Sequence, residues 1–507
     1  MKFVIETEVT KKSLARAEAI LVPIWLKGEK LDYWGEVYEL FDKDDQEAIR
    51  SYVESKKFKD GETKWLYIKG VPTFVLIAAA TRFDRKRIVL LSRQLVRMAK
   101  SEGIKSVGIY LDDFERDNLA AETVTGLAAE NALLAHYDFG EKFKSQPVGG
   151  WKRVERFVFL TEKTSKKIDE GIARAEMIAE AVNECRTIAN YPASDMTPEG
   201  LAEAAKTALR GLKNASVTVF DEKRLKSEGM NAILAVGKGS AAAPRLVIME
   251  YAGGKKTEKP LVFVGKGVTF DSGGLNIKTT QGMMDMYMDM SGGAGVIYGV
   301  AAIARLGLPV NVIGIVPAVE NMISGLSYRQ GDVIKTYGGK TIEIGNTDAE
   351  GRVILADAIE YAKTKNPALI LTLATLTGAA MVALGERASA LFVKNNKPLQ
   401  DEIEKIGRDS GDFVWPLPLW DEFDKELEGA FADVSNAHKK HPIGGAIVGA
   451  AFLNYFAKPL PFVHIDMAPR MMTLPEEEFL AKGSAGFGVR LLSEIANQYL
   501  QIVKLVK

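Results

Sequence analysis

Cysteine is almost missing from this chain: Cys185 is the one thiol in 507 residues. That excludes an internal disulfide framework and fits a reducing, cytoplasmic compartment. Histidine is nearly as scarce, with His136, His438, His441 and His464. A multi-metal centre would have to rest on carboxylates instead of imidazoles. An excess of charge is lacking too. Lys plus Arg and Asp plus Glu both number 66, which gives no global pull toward an anionic membrane or nucleic acid. DNA binding would need a local basic patch hidden within this neutral total. The N-terminus, Met1 to Glu8, alternates like a strand and has no uninterrupted apolar leader. Residues 366–385 run without a charge, but Pro367, Thr372, Thr375, Thr377 and Gly378 break them. A strand over 368–373 followed by a loop and helix explains them better than a membrane span.

What is present is the composition of a globular enzyme, 47% apolar and 26% charged. At this length two domains are expected. Residues 1–164 form an α/β domain, with strands near 3–6, 74–78, 107–111 and 156–160. Its helices lie near 87–102, stopped by Gly103, and 120–137, where His136 serves packing or capping. Residues 165–190 form a linking helix in which Cys185 is a small core residue. Residues 191–507 form the larger domain. Thr197 and Pro198 are N-cap and first residue of a helix there. Strands are expected at 217–220, 232–236, 245–251, 260–264, 311–316, 341–344, 368–373 and 461–466, and helices at 353–363 and 443–456. The fold class is therefore α/β: a smaller N-terminal domain, then a larger one with a mixed, mostly parallel sheet covered by helices.

Two Gly-rich turns carry the chemistry. The first is Gly265-Lys266-Gly267-Val268-Thr269-Phe270-Asp271-Ser272-Gly273-Gly274, and the second Asn346-Thr347-Asp348-Ala349-Glu350-Gly351-Arg352. Each follows a short apolar strand pattern, and ligands of open α/β sheets sit beyond the carboxyl ends of such strands. Asp271, Asp289, Asp348 and Glu350 would converge there with Lys266, Lys278 and Arg352. So many like charges call for a divalent counter-ion, and oxygen ligands suit Mg²⁺, Mn²⁺ or Zn²⁺. Asp271-Ser272-Gly273-Gly274 also resembles the nucleophile segment of chymotrypsin-like serine proteases. Those are all-β and disulfide-bonded, so Ser272 is read as shaping the turn.

Taken together these residues resemble the leucyl aminopeptidases, the cytosolic family with two metal ions. The resemblance continues through Asp289-Met290, Glu320-Asn321-Met322, Ala374-Thr375-Leu376-Thr377-Gly378-Ala379, His464-Ile465-Asp466 and Gly486-Phe487-Gly488-Val489-Arg490, in family order. It covers roughly residues 183–495 and implies a peptide-cleaving exopeptidase. One ion would be held by Asp271, Asp348 and Glu350, the other, more exchangeable one by Lys266, Asp271, Asp289 and Glu350. Mn²⁺ or Zn²⁺, with Mg²⁺ or Co²⁺ as alternatives, are the ions it implies. Lys278 would donate to the oxyanion, and Arg352 would hold a bicarbonate acting as general base. Met286, Thr375, Gly378, Ala468 and Met471 would line the pocket for the first side chain. A homohexamer with inward-facing sites is the implied assembly. Departures from the pattern fall at Tyr287, Gly345, Thr372 and Pro469-Arg470, which touches substrate preference more than mechanism. His464, inside a strand, is read as structural.

Overall fold

A computed structural model describes the chain apart from residues 71, 164, 438–443 and 507. His438 and His441 thus lie outside the described residues. The chain divides into two compact units, Met1–Glu180 with Thr473–Lys482, and Ala181–Met472 with Gly483–Lys507. The Lys166–Asn190 helix contributes residues to both. Both units are α/β.

The first unit is built on β1 (Lys2–Glu6), β2 (Ala19–Lys27), β3 (Lys30–Trp34), β4 (Thr63–Tyr67), β5 (Phe74–Ala80), β6 (Ser106–Tyr110) and β7 (Arg156–Leu160). They form one sheet in the order β1-β7-β6-β2-β5-β4, with β3 on β2. β2 is central and buried although it contains Pro23. Its flank meets β6 only through Ala19 and Ile20 and β3 only from Ile24 onward. Pro23, which has no N–H to donate, falls in the gap between them. The Arg85–Glu102 helix ends, as its sequence indicates, on Gly103 in the left-handed region, φ 80°.

The second unit carries β8 (Ala215–Phe220), β9 (Arg245–Ala252), β10 (Leu261–Gly265), β11 (Gly267–Asp271), β12 (Asn311–Asn321), β13 (Val333–Lys335), β14 (Thr341–Glu343), β15 (Leu369–Ala374), β16 (Ser389–Val393), β17 (Val414–Pro416), β18 (Val434–Ser435) and β19 (Phe462–Asp466). The main sheet runs β17-β16-β19-β15-β10-β12-β9-β8, with β11 on β12. Its centre, β12-β10-β15-β19, is parallel, and β8, β9 and β16 pair antiparallel. A near-continuous apolar run such as Leu261–Gly265, buried at every position, is what helices on both faces require. Among the described residues, no helix is long and apolar enough to cross a membrane.

Two local expectations change. Residues 232–236 belong to a helix, Asn231–Gly237, not to a strand. A short apolar run does not reveal its own period, and here the backbone N–H groups of Ala232 and Ile233 donate to Asp357, 2.8 and 3.0 Å away. A remote carboxylate thus supplies the helix N-terminus that the local sequence does not. β14, expected as a strand like β10, lies in a separate small sheet in the order β13-β14-β18.

Candidate metal centre

The site is assembled from strand ends. Lys266 directly follows β10, Asp271 closes β11 and Thr375 follows β15. Lys266 is locked in place by its backbone: its N–H donates to the Leu373 carbonyl and its C=O accepts from Gly293. Asp289 precedes the Ser291–Arg305 helix, which can approach because Gly292 has no side chain. A Cβ there would lie 2.2 Å from the Leu373 carbonyl oxygen. Glu350 is the first residue of the Glu350–Lys363 helix, and Asp348 stands in the turn before it. Gly273, at φ +85°, bends the chain so that Asp348 Oδ1 can approach it; a Cβ would meet that oxygen at 2.9 Å.

These residues converge as the sequence indicates. Lys266 Nζ lies 2.8 Å from Asp289 Oδ2 and 2.7 Å from Glu350 Oε1. Lys278 Nζ lies 2.9 Å from Asp271 Oδ2 and 2.5 Å from Asp348 Oδ1. Asp271, Asp348 and Glu350 each offer one oxygen, all within 4.8 Å of one another. Lys266, Asp271, Asp289 and Glu350 are buried, Asp348 and Lys278 partly so.

Burial works against every charge in the cluster. It raises the carboxyls of Asp271, Asp289 and Asp348, with neighbouring carboxylates adding to it and the lysines opposing it. It would depress the lysines, but the carboxylates around Lys266 and Lys278 more than reverse that and hold both above the ordinary lysine value. Four carboxylates face two ammonium groups, so ionising all four would leave negative charge uncompensated. Asp289 Oδ2, Asp348 Oδ1 and Glu350 Oε1 are buried carboxylate oxygens whose close partners among the described residues are the lysine ammonium groups. Hard oxygen donors with spare lone pairs and spare negative charge fit divalent cations.

Among the remaining expected residues, Thr375 touches the cluster directly. Thr375 does more than line a pocket: its hydroxyl donates to Asp289 Oδ1 at 2.8 Å, and its carbonyl accepts from Lys266 Nζ at 2.9 Å. Gly378 opens the Gly378–Leu384 helix, with no atom within 4 Å of where a Cβ would stand. Ala468 begins a short 3₁₀ turn that packs on that helix, and Met471 caps the turn. Met286 opens the 3₁₀ turn that ends at Asp289. Arg352 is buried, and its Nη1 donates to the Asn436 carbonyl at 3.1 Å. Burial lowers its pKa to about 10, against the pull of Glu350 and Asp466. Ser272 is no free nucleophile: its Oγ donates to the Asn321 carbonyl at 2.7 Å and accepts from the Gly274 N–H at 3.2 Å.

Sequence reasoning did not assign roles to the residues that brace the two Gly-rich turns. Asn436 accepts from the Gly345 and Asn346 N–H groups and donates to the Asn346 carbonyl. Tyr328 donates from its buried hydroxyl to the Thr347 carbonyl at 2.6 Å. Their partners lie about 19 to 91 residues away, beyond the reach of any local pattern.

The parallel strand ends of this α/β sheet gather carboxylates and lysines into a donor set suited to divalent cations. Comparison with known proteins narrows this. Residues 183–493 match the family model described as "Cytosol aminopeptidase family, catalytic domain". A "Probable cytosol aminopeptidase" of Syntrophotalea carbinolica is 38% identical over 466 residues, 89% of this chain and 92% of that protein. A mutant of tomato leucine aminopeptidase superposes with TM-score 0.85 at 27% identity, over 98% of this chain and 96% of that one. The bottromycin maturation enzyme BotP in complex with Mn superposes with TM-score 0.81 at 28% identity, over 96% and 99%. The chain belongs to the cytosol aminopeptidase family.

Proposed function

We propose that this protein is a cytoplasmic aminopeptidase that removes N-terminal residues, Leu and other apolar ones by preference, from peptides. The observation that carries the reading is the convergence of Asp271, Asp348 and Glu350 within 4.8 Å, with Lys266 2.7 Å from Glu350. Asp271, Asp348 and Glu350 would hold one divalent ion, and Lys266, Asp271, Asp289 and Glu350 the other. Two such ions, Mn²⁺ or Zn²⁺ and less favourably Mg²⁺ or Co²⁺, would supply Lewis acidity and a water acidified for attack on a carbonyl.

The chain's own groups do the rest. Lys266 must shed its proton to act as a ligand, so binding at that position releases a proton. Asp289 faces the end of the substrate that carries a free α-amine. Lys278 is the cation that donates to the developing oxyanion. Arg352 is buried with unspent donor capacity, Nε having no partner among the described residues. It would hold a small oxyanion such as bicarbonate as general base. Met286, Thr375, Gly378, Ala468 and Met471 shape the first side-chain pocket, where thioether side chains adapt to Leu or Met. The assembly is a homohexamer, as the family resemblance implies.

The test compares Leu-amide and Leu-Gly with their N-acetylated forms in the presence of Mn²⁺ or Zn²⁺. Free amines should be cleaved and blocked ones left intact. Equal turnover of a blocked peptide would exclude an aminopeptidase site.

A further inference from the structure

We infer that Asn321 is a positioning residue that sets the affinity of the Asp271, Asp348 and Glu350 position for its divalent ion; the inference rests on the ligand assignment proposed above. Asn321 ends β12 directly opposite Asp271 in the parallel ladder. Its side chain is fully buried, at 0% exposure. Nδ2 donates to two acceptors at once, Asp271 Oδ1 at 2.8 Å and the Thr347 carbonyl at 3.0 Å. One amide therefore ties a ligand on the first Gly-rich turn to the residue just before a ligand on the second. Its backbone carbonyl accepts from both the N–H and the hydroxyl of Ser272, at 3.0 and 2.7 Å. The turn that follows Asp271 is thus fixed to the same residue.

The chemistry requires an amide. Both partners are acceptors, so only a group with two N–H donors serves both. The opposite amide orientation would set Asn321 Oδ1 against Asp271 Oδ1 and the Thr347 carbonyl, three acceptors facing one another. In the orientation seen, Oδ1 is buried without a hydrogen-bond partner among the described residues and lies against Gly274, where a Cβ would come within 2.9 Å. An unpaired acceptor of this kind is costly, yet it leaves both donors on the two turns. A carboxylate at this position would add negative charge beside Asp271 and provide no donor.

The neighbouring contacts divide the work. Gly273 N–H also donates to Asp271 Oδ1, at 2.8 Å, and Tyr328 also donates to the Thr347 carbonyl. Among the described residues, Asn321 alone donates to both acceptors. Thr375 braces Asp289 and Lys266, so removing Asn321 should weaken the Asp271, Asp348 and Glu350 position most and the other position, which shares Asp271, less.

The test titrates Mn²⁺ into chelator-treated full-length protein, with free Mn²⁺ followed by electron paramagnetic resonance. Asn321→Ala and the near-isosteric Asn321→Asp are compared with the parent and with Asp271→Ala. Both Asn321 variants should bind one ion about 10–100-fold more weakly, the usual effect of losing a ligand's hydrogen-bonded support, while the other ion, which shares Asp271 but keeps Lys266 and Asp289, loses less. Turnover at saturating Mn²⁺ should stay within a few-fold of parent, which a general loss of structure would not allow. Thermal melts of the same samples report whether each variant folds, and either folded variant is decisive. Parental affinity for both ions in a folded Asn321 variant, with Asp271→Ala weakened, would overturn the inference. Parental affinity in Asp271→Ala as well would overturn the ligand assignment beneath it.

Discussion

Gly351 lies directly against the side chain of Lys266: a Cβ on it would stand 2.6 Å from Cε and 2.8 Å from Nζ. The first turn of the Glu350–Lys363 helix can therefore bring Glu350 onto Lys266 only because position 351 is bare. Gly351→Ala should displace the lysine tip. Helix propensity gains about 1 kcal/mol and crowding costs about 1–3 kcal/mol, so stability should change by at most about 2 kcal/mol. Activity and affinity for the Lys266-side ion should fall about 10–100-fold. A melt set beside Mn²⁺ titration separates the two. Unchanged metal binding would mean that the lysine has room to move.

Metal, not Ser272, should control activity. Chelation is expected to abolish peptide cleavage, and added Mn²⁺ or Zn²⁺ to restore it. Ser272→Ala removes a hydroxyl that braces the Asn321 carbonyl, which costs about 1 kcal/mol of stability. The variant should still cleave peptides with metal. Covalent labelling of Ser272 by a fluorophosphonate would contradict this.

The two lysines should fail differently. Lys278→Ala should keep both ions and lower kcat about 100–1000-fold, the effect of losing one oxyanion donor. Lys266→Ala should weaken one ion, and excess metal should partly rescue it. Metal content measured beside kcat decides the matter. Loss of an ion in Lys278→Ala, with two kept in Lys266→Ala, would reverse the roles.

His464 should make the fold acid-sensitive. It is fully buried in β19, Thr372 Oγ1 lies 2.8 Å from its Nδ1, and Phe392 stacks on the ring. Burial, with Arg352 near, depresses its pKa to about 3. In the unfolded chain the ring titrates near about 6.5, so the unfolded state takes up the proton first as pH falls. The stability this residue contributes is complete above that value and is lost progressively toward pH 3. Between pH 7 and pH 5 the parent should lose about 2 kcal/mol more than His464→Gln. Urea unfolding of chelator-treated protein at both pH values measures it. Equal losses would place the acid sensitivity elsewhere.

The sequence by itself determined the α/β class, most strand positions and the carboxylates and lysines that converge past the strand ends. Lys266, Asp271, Asp348 and Glu350 stand next to strand or helix ends, so hydrophobic runs and glycine turns point to them directly. What it left undecided was carried by partners far apart in the chain. The run at 232–236 becomes helical because Asp357, more than a hundred residues later, accepts from Ala232 and Ile233. Central β2 is hidden by Pro23, whose missing N–H is harmless only in the gap its neighbours leave. Asn321 is legible as part of a block but not as a brace, since its meaning lies in facing Asp271 across a ladder and Thr347 across a turn. Local periodicity records which face of an element is buried. Which donor meets which acceptor is decided only when the sheet brings the strand ends together.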